Sequence, residues 1–90
     1  MEEKIEYLKK FFDEDKENPV VSKALVASME SEKPLPGNIF INLEQNKIST
    51  QFRHNLIDLI KIKLLHTSDI SNVSRLITQM QFALSIDIVK

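Results

Sequence analysis

The sequence predicts a mainly α fold: a compact four-helix bundle, with room for a short β-hairpin or strand pair around residues 38–50. Three observations predict it. Apolar residues recur at helical spacing through two long stretches, 50–66 and 69–85. The only glycine, Gly37, and the three prolines, Pro19, Pro34 and Pro36, all lie in the first half of the chain. An apolar share of 42% and a charged share of 28% in 90 residues are those of one ordinary soluble globular domain, spanning 1–90. A domain of this length hides only about 60–65% of its unfolded surface, so its core is small and its stability marginal.

The elements follow in order. Residues 3–15 read as a helix, with Ile5, Leu8, Phe11 and Phe12 on one stripe, Tyr7 at its edge, and Glu2 and Glu3 at its positive end. The acidic run DEDKEN ends it. A second helix is expected from about Pro19 to Ser31, with Asn18 as its cap and Val20, Val21, Ala24 and Leu25 on its apolar side. KPLPGN is the strongest break in the chain. In NIFINLEQNKI, residues 38–48, Ile39, Ile41 and Leu43 alternate with Phe40 and Asn42, which favours a short strand. KIS after the polar EQN, or the alternating tail SIDIVK, would be its partner.

Residues 50–66 form a helix capped by Ser49 or Thr50. Phe52, Leu56, Ile57, Leu59, Ile60 and Leu64 fill one wide side, and Ile62 and Leu65 lie on the other. A helix apolar on more than one side is central to its bundle or faces a second subunit. Residues 69–85 form another helix, capped by Ser68 or Asp69. Ile70, Val73, Leu76, Ile77, Met80, Ala83 and Leu84 make one stripe. Asp87 would fall inside that stripe, so the helix ends near Ser85.

Composition removes several kinds of chemistry. No cysteine is present, which excludes disulfides, thiolate nucleophiles and Cys-based zinc sites. One glycine does not make a phosphate-binding loop, and no Gly-x-Ser-x-Gly elbow occurs. His54 and Asp58 sit four apart, as two metal ligands would, but no third ligand has useful spacing. The acids of DEDKE belong to a solvated helix end rather than to a tuned acid–base pair. The expectation is therefore no enzyme, no cofactor and no metal. No apolar run approaches the roughly 18 residues of a membrane span, and the acidic, amphipathic MEEKIEYLKK has no signal-peptide pattern. A cytoplasmic location is the default.

Charge is unevenly spread. Residues 1–45 carry ten acids and six lysines, net −4, while residues 46–90 carry three acids and six Lys/Arg, net +3. This asymmetry points to a polar interaction surface.

Two interaction readings result. Arg75, Gln79, Phe82 and Ile86 form a second row, at i, i+4, i+7 and i+11, off the main stripe, and Ile62 and Leu65 are likewise off theirs. Aromatics and Arg with aliphatic flanks suit a protein interface. Covering residues 38–48 within the same chain suits Phe82 and Ile86 equally well. The first reading is a small non-enzymatic protein-binding module, a regulator, inhibitor or adaptor acting by steric docking. Its partner is another protein or a second copy in a homodimer. Small bacterial and phage regulators share its size and class.

The second reading rests on NVSRLI. Asn72, Val73, Ser74, Arg75, Leu76 and Ile77 resemble the Thr-Val-Ser-Arg-x-Leu pattern of helix-turn-helix recognition helices. The resemblance spans about ten residues and implies a DNA-binding regulator. Val73 and Leu76 would pack inward, Arg75 would meet a guanine edge, and Ser74 or Asn72 a phosphate or base. Thr67 and Ser68 stand where that family has a glycine followed by an apolar residue, and Lys63 where it often has alanine.

Overall fold

The computed structural model describes residues 2–45 and 47–86, without the side chain of Glu2. Among the described residues five helices follow one another: α1 (Glu2–Asp13), α2 (Pro19–Ser28), α3 (Gly37–Glu44), α4 (Thr50–His66) and α5 (Ile70–Ser85). No strand occurs among the described residues, where Ile48 is a single isolated β-bridge position. The mainly α expectation holds; the count of four and the hairpin do not. The tail proposed as a second strand lies partly in residues 87–90, outside the described residues.

The 38–48 segment is the main correction. It forms α3, which buries Ile39, Phe40 and Leu43 and leaves Ile41 exposed. Ile39, Ile41 and Leu43 alternate, but Ile39, Phe40 and Leu43 also fit i, i+1, i+4. Five residues satisfy both periods, and packing decides between them. α3 rests on α2, and its Phe40 ring meets Phe82 of α5 edge-on, with centroids 5.5 Å apart at 75°.

Helix starts follow short-range chemistry. Ser49 Oγ accepts from the Phe52 amide at 3.1 Å and starts α4. Asp69 Oδ1 accepts from the Ser71 amide at 2.8 Å and starts α5. At α2 the expected device is replaced. Asn18 occupies the cap position without a side-chain cap bond. Instead Asp15 Oδ2 accepts from the Asn18 amide at 2.8 Å and the Ser22 hydroxyl at 3.1 Å. The carboxylate missing from the first turn of α2 thus comes from the preceding loop, where it also suits the helix dipole. α2 ends at Ser28 rather than near Ser31.

α4 is central, as its width predicts. It packs on α5 and α1 and buries Phe52, Leu56, Leu59, Ile60 and Ile62. Phe52 meets Phe12 of α1 edge-on at 5.3 Å. Leu8, Phe12, Leu25, Ile39, Leu43 and Leu76 close the core around it. Lys4 of α1 reaches Asp58 of α4 at 2.9 Å.

Candidate interaction surface

The residues of the expected partner-binding row are drawn apart by contacts within the chain. Arg75 is exposed, Phe82 is half-buried against Phe40, and Ile86 is buried in the core. Gln79 is used up by a loop. Its Nε2 donates to the Leu35 carbonyl at 2.7 Å, and its Oε1 accepts from the Leu35 amide at 3.0 Å. One carboxamide therefore reads one backbone residue on both sides, as a neighbouring strand would. Ile62 is buried, whereas Leu65 is 73% exposed. Replacing Gln79 by Leu is expected to cost about 1–2 kcal/mol of stability, because it strips both Leu35 backbone groups of partners. Hydrogen exchange at the Leu35 amide checks it: exchange unchanged by the substitution would disprove the clamp.

The residues singled out for DNA do come together. Asn72, Ser74 and Arg75 line one open groove, with Lys33, Pro36 and Thr78 on its walls. Asp69 lines the same groove, which lowers its positive potential.

The expected apolar stripe of α5 is split lengthwise. Leu76 and Ala83 are fully buried against the rest of the chain, and Val73 and Met80 are half-buried. Ile70 is 84% exposed, Ile77 47% and Leu84 57%. These last three stand at i, i+7 and i+14. On a helix that spacing drifts only about 20° per seven residues, so they form one line along the outer face. Val73 and Met80 lie three residues after the first two and flank the same line. Among the 16 residues of α5 only Arg75 is charged. It projects about 160° away from Ile77 around the helix. On α4, Ile57 and Leu64 are half-buried one heptad apart. Leu65 and Ile70 flank the turn between the two helices. The sequence pattern alone does not separate this face, because the seven apolar residues of the stripe share one side of the helix; the heptad spacing is the signal that does.

Lys63 carries a second feature that sequence did not reveal. It is 2% exposed on α4, and its Nζ donates to the carbonyls of Ser28 (2.6 Å), Ser31 (2.6 Å) and Lys33 (3.0 Å). All three ammonium protons find acceptors, at the negative end of α2 and in the loop after it. Burial lowers the Lys63 pKa from its ordinary 10.5.

His54 and Asp58, four apart on α4, form the expected solvent-side pair: His54 Nε2 lies 3.3 Å from Asp58 Oδ2, an oxygen that also receives Lys4. No group of three candidate ligands occurs among the described residues. Among them, too, no helix is long and apolar enough to cross a membrane. No protein family, curated protein or solved structure matches the chain.

Proposed function

We propose that this chain is a non-enzymatic protein-binding module that docks through the outer face of α5. The observation that carries the reading is the uncovered line Ile70, Ile77 and Leu84 on a helix with a single charge. Apolar residues are often exposed one at a time, and that alone means little. Three aligned on one face, flanked by half-buried Val73 and Met80 and by uncharged Ser74 and Gln81, make a contiguous patch. Depletion of charge at the centre is the compositional mark of an interface core. Docking is steric, and Leu65 extends the contact past the α4–α5 turn. Arg75, the exposed member of the row Arg75, Gln79, Phe82 and Ile86, lies on the groove side of α5.

The helix-turn-helix reading stands second. It is supported by the groove that holds Asn72, Ser74 and Arg75 beside Lys33. Two cations sharing a groove with Asp69 give weak phosphate attraction, and phosphate contacts supply much of DNA affinity.

The test compares two immobilised baits, the wild-type protein and the double variant Ile77→Glu, Leu84→Glu. The wild-type bait is expected to retain a protein, which includes soluble copies of itself, at least tenfold better than the variant. Equal retention by both baits would move docking off α5.

A further inference from the structure

We infer that the occupant of the α5 face is a second copy of this chain, paired helix to helix across a two-fold axis beside Ile77. The inference rests on the docking reading above and names the partner. Two observations point to self-pairing, and a third sets its strength.

The first is periodicity. Ile70, Val73, Ile77, Met80 and Leu84 follow the 3–4–3–4 spacing of a helix-pairing seam. The intramolecular core is centred on the neighbouring positions, Leu76 and Ala83, and takes only the near side of the seam, where Met80 packs against it, so Ile70, Ile77 and Leu84 stay exposed. A helix that needed only its own core would end its apolar arc at those two residues. Here the arc continues through Val73 and Met80 to Ile70, Ile77 and Leu84.

The second is charge. At the chain's average of 28%, a helix of 16 residues would carry four or five charged side chains, and α5 carries one. An acidic or basic partner would find nothing on this face to pair with. An identical uncharged apolar face is its complement, free of like-charge repulsion. A two-fold contact uses the same patch on both copies, so the patch centre lies at the axis. The centre of the Ile70–Leu84 line is Ile77.

The third is area. α5 is about 24 Å long and, with its side chains, about 10–12 Å wide. One such strip falls below the roughly 800 Å² per partner of a standard interface. The pair therefore belongs to the weak class, forming at high concentration and dissociating on dilution.

Sedimentation velocity on the pure protein from about 1 to 500 μM tests this, a span that brackets micromolar association. The expected result is a mass rising with concentration from 10.4 kDa toward twice that value. Ile77→Glu and Leu84→Glu are each expected to weaken association at least tenfold. Both positions are exposed, so circular dichroism should report unchanged helix. The chain has no cysteine, which makes a crosslinking test clean. Ile77→Cys should oxidise to a disulfide dimer, while Lys23→Cys, on the exposed side of α2, should not. A wild-type protein that stays monomeric at 500 μM overturns the inference, as do glutamate variants that dimerise equally well. If the wild type is monomeric but the variant bait still loses a different protein, the docking reading stands and only the second copy is excluded.

Discussion

Replacing Lys63 with methionine is expected to lower the unfolding free energy by about 2 kcal/mol and the melting temperature by about 10 °C. Methionine keeps an unbranched apolar stem, so packing changes little, and the loss falls on three carbonyls. The Ser28 carbonyl ends α2 and loses a bond of 2.6 Å. Ser31 and Lys33 are exposed residues, whose carbonyls turn toward water at smaller cost. Opposing this, an ammonium no longer has to leave water, a penalty of several kcal/mol for an isolated ion. Three satisfied donors offset that penalty, and the unpaired carbonyls then decide the sign. Urea unfolding at neutral pH measures it; a variant more stable than wild type would show that the desolvation penalty dominates.

Lys63 also makes stability depend on pH. Burial lowers its folded pKa, while the unfolded chain keeps the ordinary 10.5. Between those two values the unfolded state binds more protons, so stability rises with pH. It is least below the folded value and reaches its full gain above 10.5. The other ionisable groups of the chain are common to wild type and Lys63→Met. The stability of wild type minus that of Lys63→Met cancels them, and this difference is expected to grow as pH approaches 10.5. A difference that stays flat would mean Lys63 titrates alike in both states.

Asn55→Leu is expected to act in the opposite direction and raise stability by about 2 kcal/mol. Asn55 is fully buried on α4, and neither amide atom has a hydrogen-bond partner among the described residues. An unmade bond costs about 1–3 kcal/mol for each buried group. Leucine has the same branching and joins Phe52, Leu56 and Leu59 in the core. Its greater size returns part of the gain where the site relaxes poorly. Asn55→Ala separates the two effects, since it removes the unpaired amide without overfilling. Loss of stability in both variants would disprove the unpaired amide and point to a buried water as its partner.

Much of this fold was legible because burial here follows helical period. Phe52, Leu56, Leu59 and Ile60 mark α4, and Ser49 and Asp69 mark helix starts, from local spacing alone. α3 was not legible, because Ile39 to Leu43 is too short to separate a period of 2 from one of 3.6. The role of Gln79 was hidden for another reason. Leu35, its partner, lies 44 residues away, and no spacing rule links them. The role of Lys63 was hidden by its type, since lysine is ordinarily solvated and only the open end of α2 gives it a buried place. The α5 face was half legible: the stripe was visible, but the boundary between what the core covers and what it leaves bare depends on how α4 lies against it.

The segment between α2 and α3 lacks regular structure, yet two distant side chains hold it. Lys63 grips the Ser28, Ser31 and Lys33 carbonyls, and Gln79 grips Leu35. A protease needs a local stretch of free, extended backbone, and residues 28–35 offer one only after both grips release. Resistance to cutting there is therefore a property of α4 and α5, not of the segment itself. A nick between Met29 and Lys33 would report that the second half of the chain had opened.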